Sequence, residues 1–173
     1  MKRLILAMLL LGLGFASQAQ VQDNAVIPVS VTINSVLRLQ VNSGGNIQFV
    51  FNTMEQFESG IISSGNTTTK FSVSSSRKYD VELTTEDGEL KGISTGAGAN
   101  LGLIQYQASG KGANTNLTAL SQNSATPLVS STTPANNEPY EIKWEAGTGG
   151  VRATDLGPDT YITNVFLTLK ANN

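Results

Sequence analysis

The stretch 67–85, TTTKFSVSSSRKYDVELTT, decides the fold class. Phe71 and Val73, then Tyr79, Val81 and Leu83, stand at alternate positions. The residues between them are Ser72, Asp80 and Glu82. Successive side chains of a strand point to opposite faces, so a period of two predicts a half-buried strand. Ser75, Ser76, Arg77 and Lys78 interrupt the apolar alternation and predict a turn between two strands.

The same signal recurs on both sides. Upstream, Ile27, Val29, Val31 and Ile33 predict a strand at 26–34. Pro28 cannot donate to a ladder and belongs at its start or on an edge. Leu37, Leu39 and Val41 predict a second strand, and Ile47, Phe49 and Phe51 a third. Downstream, Asp87-Gly88 reads as a hairpin turn. Weaker strands are predicted at 101–108, 117–120 and 128–130. Tyr140, Ile142 and Trp144 alternate with Glu141, Lys143 and Glu145. The last strand, 161–170, is apolar on both faces, with Ile162 and Phe166 opposite Val165, Leu167 and Leu169, which predicts an interior or covered strand. No window has a helical apolar period. Seven to nine strands with frequent turns predict an all-β fold, an antiparallel immunoglobulin-like β-sandwich; a small barrel is the alternative.

The N-terminus reads as a separate element. Lys2 and Arg3 precede twelve apolar residues, 4–15, and Ala16-Ser17-Gln18-Ala19 supplies small residues for a cut after Ala19. That is the pattern of a secretory signal peptide at 1–19. Twelve residues fall short of the ~20 that span a bilayer. The domain then occupies 20–173, with a net charge of −4 once Lys2 and Arg3 are gone. The expected location is the periplasm, the cell surface or the extracellular space, with no membrane span.

Composition removes most chemistry. The 173 residues contain no His and no Cys. Zinc sites, thiol nucleophiles, Ser-His couples and disulfides are therefore excluded or improbable on residue type alone. Nothing basic marks a nucleic-acid partner. Ser75 and Lys78 match S-x-x-K, but the companion motifs of serine–lysine enzymes are missing. Asp80, Glu82, Glu86, Asp87 and Glu89 form an acidic cluster without EF-hand spacing, beside Arg77, Lys78 and Lys91. Glu141 and Glu145 lie roughly 13 Å apart along one strand face, farther than paired glycosidase carboxylates. The chain is read as a non-enzyme with no cofactor and no metal. Phe57, Tyr79, Tyr106 and Trp144 are the aromatics that could meet a glycan or other ligand. For Trp144 the apolar face it shares with Tyr140 and Ile142 favours the core instead.

Three segments carry a resemblance. They are 20–41; 46–84, with IQFVFNTMEQFESG and then TTTKFSVSSSRKYDVELTT; and the C-terminal EPYEIKWEAG with LGPDTYITNVFLTLKANN. Together they resemble exported fimbrial-subunit-like β-sandwiches, the group of spore coat protein U-like domains and alpha-type fimbrial subunits. Gly157, Tyr161, Val165 and Leu169 stand at that group's C-terminal strand positions. The resemblance implies a structural or adhesive surface protein. It also implies assembly in which an N-terminal extension, here 20–34, completes a neighbour's sandwich. The partner would be a second copy or another surface subunit, and Ile27, Val29, Val31 and Ile33 would be the donor residues. Two readings remain open beside it: 26–34 as the first strand of its own sandwich, and a secreted carbohydrate- or ligand-binding module.

Overall fold

The computed structural model describes residues 27–124 and 126–172. The expected signal peptide lies outside them. Two units separate along the chain, Met1–Ile33 and Asn34–Asn173.

The second unit is an all-β antiparallel sandwich. Its strands are β1 (Leu37–Ser43), β2 (Thr68–Ser75), β3 (Tyr79–Thr85), β4 (Glu89–Gly92), β5 (Gly98–Asn100), β6 (Ile104–Ser109), β7 (Thr118–Ala119), β8 (Val129–Ser131), β9 (Ala135–Ala146), β10 (Tyr161–Ile162) and β11 (Val165–Ala171). One sheet has the order β1-β2-β9-β6-β7. Two three-stranded sheets, β11-β3-β8 and β10-β4-β5, complete the fold. Among the described residues there is one α-helix, α1 (Met54–Ser59), closed by a reciprocal cap between Thr53 and Gln56.

Alternation places the core. In β3, Tyr79, Val81, Leu83 and Thr85 are buried and the residues between them are half-buried. Phe71 and Val73 of β2, Ile142 and Trp144 of β9 and Val129 of β8 complete the apolar cluster. Thr163 Oγ1 is buried without a hydrogen-bond partner, whereas buried Thr69 is paired on both sides, as burial favours. Thr69 Oγ1 donates to the Gly44 carbonyl at 2.6 Å and accepts from Trp144 Nε1 at 2.9 Å. Gly44 sits at φ 68°, and a Cβ there would collide with the Thr68 carbonyl oxygen.

Tyr140 donates its hydroxyl to the Lys111 carbonyl at 3.1 Å. It therefore accepts from Tyr79, whose hydroxyl lies 2.6 Å away. This pair bridges β3 and β9 across the core. Burial, reinforced by the Tyr79 bond, raises the Tyr140 pKa well above its ordinary value. A raised pKa means the stabilisation is complete below ~10, the unfolded value, and is lost as pH climbs through the folded value. In an alkaline absorbance titration, the Tyr140 phenol is expected to ionise only with unfolding. Tyr140→Phe should remove that late step.

Four readings of the sequence change. Residues 27–33 form no strand, and Ile27, Val29, Val31 and Ile33 are 81, 83, 80 and 88 % exposed. Residues 47–51 keep the alternation, with Ile47, Phe49 and Phe51 half-buried against the core, but join no ladder. Asp87-Gly88 does not close a hairpin: β3 already has β11 and β8 as neighbours, so the bend sends β4 into the next sheet. The strand predicted at 161–170 divides into β10 and β11, and β11 is an edge strand.

Candidate functional site

The ends of the two layers differ. β7 and β8 are edges of two and three residues. β1 and β11 are edges of seven residues each, and they are neighbours with no ladder between them. Long open edges are costly features in soluble folds and are normally shortened, charged or covered.

The side chains on these two edges are apolar and face the core. Leu37, Leu39 and Val41 oppose Ser75, Val73 and Phe71 of β2. Phe71 and Val73 are fully buried, yet Leu37 and Val41 on the same sheet face are 44 and 45 % exposed. On β11, Val165, Leu167, Leu169 and Ala171 oppose Thr85, Leu83, Val81 and Tyr79, all buried. Val165 remains 37 % exposed. An inward row left in solvent on both sides of one opening marks an apolar groove. Phe166, on the outer face of β11, is 49 % exposed as well.

The groove also carries free backbone. The Val36 carbonyl accepts from Ser76, so even-numbered positions of β1 point toward β2. Asn164 O and Asn172 N bond Glu86 N and Lys78 O, so even-numbered positions of β11 point toward β3. In an antiparallel ladder the alternate residues point the other way. The N–H and C=O groups of Leu37, Leu39 and Val41, and of Val165, Leu167, Leu169 and Ala171, therefore face the opening. β1 begins beside Ser76 and β11 ends beside Lys78, so the two edges run in opposite directions. The opening thus combines apolar side chains and unpaired backbone. Those are the two kinds of group that strand addition satisfies.

The other candidates scatter. Tyr79, Tyr106 and Trp144 are buried in the core, with Trp144 against Tyr106 at 5.9 Å. Phe57 is half-buried and packs on Phe51 at 5.4 Å. The four do not share an exposed face. Four of the five carboxylates in the acidic cluster are locally paired. Asp80 accepts from Ser130 at 2.7 Å, Asp87 pairs with Lys91 at 2.6 Å, Glu82 pairs with Lys170, and Glu86 accepts from Asn164 at 2.6 Å. Among the described residues no group of three acidic side chains is placed to hold a metal. Glu141 lies 3.9 Å from Lys70 on the outer face of the large sheet. Ser75 donates to the Arg77 carbonyl within a turn, so the S-x-x-K match opens no helix.

One carboxylate missed in the sequence organises a loop. Asp159 accepts from the Thr95 hydroxyl and amide at 2.6 and 2.9 Å, from the Ser94 amide at 3.1 Å and from the Thr160 amide at 2.7 Å. These bonds, the Thr95 hydroxyl first, hold its carboxyl well below the usual carboxylate range. They tie the turn after β4 to the loop before β10. Asp159 serves structure, and the Gly157-Pro158 pair before it is a local turn signal.

Among the described residues, no helix is long and apolar enough to cross a membrane. Compared with protein-family models and with curated proteins, the chain matches none.

Proposed function

We propose that this chain is a non-catalytic structural or adhesive surface protein, exported and assembled by strand pairing between copies. The arm 27–33 of one copy lies in the groove between β1 and β11 of the next. The observation that carries this reading is the coincidence of two unsatisfied features on one chain. One is a row of four exposed apolar side chains at alternate positions. The other is a groove whose two edges leave inward apolar side chains and backbone groups uncovered.

Length supports the match. Seven residues extend about 23 Å at ~3.3 Å each, the span of seven-residue β11. Energy supports it too. Strand addition satisfies edge hydrogen bonds, and alternate side chains fill apolar depressions. Covering the groove also removes the long edges that invite uncontrolled aggregation. The absence of cysteine means that the association is not secured by disulfides.

The test is the mass of the purified chain in solution across a range of concentrations. Multimers that grow with concentration, and that dissociate when a synthetic peptide of residues 20–34 is added in excess, are expected. A monomer at every concentration, indifferent to the peptide, would overturn the reading. Residue Gln20 at the N-terminus of the exported protein is the matching check on export.

A further inference from the structure

We propose that the outer face of the large sheet carries a binding surface of its own: a cationic, hydroxyl-lined track along β2 that takes an acidic polysaccharide, whose carboxylates pair with Lys70, Lys143 and Arg38. This goes beyond strand pairing. The track lies on the sheet face turned away from the core and is complete within one chain, so it does not depend on the groove between β1 and β11.

Alternation builds the track. Phe71 and Val73 of β2 point into the core, so Thr68, Lys70, Ser72 and Ser74 point outward. In an antiparallel pair, opposite residues share a face. On β9, Lys143 therefore stands beside Thr68 and Glu141 beside Lys70. On β1, Gln40 stands beside Ser72 and Arg38 beside Ser74. From Thr68 to Ser74 the track runs about 20 Å, at ~3.3 Å per residue. None of these side chains is aromatic. β2 is bonded on both sides, by β1 and β9, and has the core beneath it. Side chains on such a strand are held more precisely than side chains on loops.

Both ends of the track are hollowed. The turn 63–65 rises at one end. With Thr68, Lys70, Glu141 and Lys143 it encloses a shallow depression of about 330 Å³, many times the space of one water. At the other end, Arg38, Gln40, Ser74 and Asn137 line a small hollow of about 30 Å³. Asn137 sits there at φ 55°, the one left-handed non-glycine among the described residues, and donates its amide to Ser74 Oγ at 3.0 Å. The register of β2 with β9 shifts at the same place, between Val73 and Ser75. Such a bulge re-aims a side chain.

Charge points to an anion. Three cations and one carboxylate share the track, on a chain whose formal charge is −2. Glu145, the next outward residue of β9, stands beside Gln105 and lines neither hollow. Lys70 meets Glu141 only at 3.9 Å, and its side chain is 61 % exposed. Among the described residues, Arg38 and Lys143 take part in no ion pair. Arg38 instead donates to Gln40 at 2.9 Å. Lys70 and Lys143 are diagonal neighbours, about 7–8 Å apart at their backbones. Arg38 lies about 13 Å farther along the strand direction. The positive charges are thus spaced, with hydroxyl and amide groups between them.

That spacing selects the ligand. A sugar polymer with carboxylates set between hydroxyl-bearing units places its charges on the cations and its hydroxyls on Ser63, Thr68 and Glu141. Duplex nucleic acid, with one charge per ~1.7 Å, would set phosphates against Glu141. Single strands are held on aromatic platforms, which the track lacks. Each contact is an exposed charge pair and weak alone, so affinity comes from several along one polymer and is screened by salt.

The test is binding of the purified full chain to polygalacturonate and to hyaluronate immobilised on a sensor, with methyl-esterified polygalacturonate as the uncharged counterpart. Binding to both acidic polymers in dilute buffer is expected, with none to the methyl ester. It should vanish at ~1 M salt, where the screening length is about 3 Å. Lys70→Gln with Lys143→Gln should weaken binding about ten-fold, and Arg38→Gln a few-fold. Lys91→Gln with Lys111→Gln removes the same charge elsewhere and should leave affinity within about two-fold. No binding to either polymer, equal binding to the methyl ester, or equal loss in the two double variants overturns the proposal. Tighter binding to a duplex DNA oligomer overturns the ligand class. The solution mass of Lys70→Gln with Lys143→Gln should equal the parent's, and a lower mass would assign this face to a second copy and overturn the proposal. Strand pairing is read from the parent's mass alone. A chain that binds the polymer as a monomer sinks strand pairing and keeps the track, and one that multimerises without binding does the reverse.

Discussion

A chain carrying Val29→Asp and Val31→Asp is expected to remain folded and to lose assembly. Both side chains are more than three-quarters exposed, and among the described residues the core is built from positions after Asn34. The denaturation midpoint of the domain should therefore match the parent's. Association should not survive. Each valine removed from the groove forfeits about 1.5–3 kcal/mol of apolar burial. Each carboxylate carried into an apolar, unpaired setting adds a desolvation cost that exceeds an ordinary hydrogen bond. At ~1.4 kcal/mol per decade, the affinity between copies should fall by about four decades or more. Light scattering would show a monomer at concentrations where the parent forms multimers. Ser30→Asp and Thr32→Asp provide the control, because those positions face outward in the proposed pairing. They should shift assembly by less than about one decade, the scale of exposed substitutions. Equal loss in both variants would mean that the apolar row is not the contact.

Much of this architecture is legible in the alternation of apolar residues. β2, β3 and β9 stand where Phe71, Val73, Tyr79, Val81, Ile142 and Trp144 repeat every second position. Alternation reports which way side chains point. It does not report which backbone lies alongside. Residues 27–33 and 47–51 carry the same pattern as β3, yet neither is in a strand, because the missing element is a partner. β11 shows the converse. Its apolar residues on both faces predict an interior strand, and the structure places it at an edge with Phe166 and Val165 in solvent. The same pattern fits an interior position if a second chain supplies the neighbour. Asp87-Gly88 has hairpin chemistry, but local turn preference cannot add a third neighbour to a strand that already has two. The two rows of the groove are legible only as parts of separate strands. Their juxtaposition depends on sheet order, which no local pattern encodes.

The second large effect is on the core. Phe71→Ala is expected to cost about 3–5 kcal/mol, the range for emptying a buried aromatic site. Phe71 is fully buried on β2, opposite Val41 on one side and Tyr140 on the other, and its ring stacks on Tyr140 at 5.2 Å. Tyr140 is held by its bonds to Tyr79 and Lys111, so it cannot swing into the space left behind. The cavity should therefore collapse poorly. Domains of this size are stable by only about 5–15 kcal/mol, and here no disulfide limits the unfolded chain. With a urea slope of about 1–3 kcal/mol per M, the midpoint should drop by about 2 M. Phe71→Leu, which keeps most of the volume, should lose less than half as much. The two variants separate the two halves of the molecule's behaviour. Aspartates in the arm should abolish assembly at constant domain stability. Alanine at Phe71 should lower stability even when the arm is also disabled, because its effect originates in the core beneath the groove and not in the contact above it. If disabling the arm erased the Phe71→Ala penalty, the core would not be complete within one chain, and the groove would have to be counted as part of it.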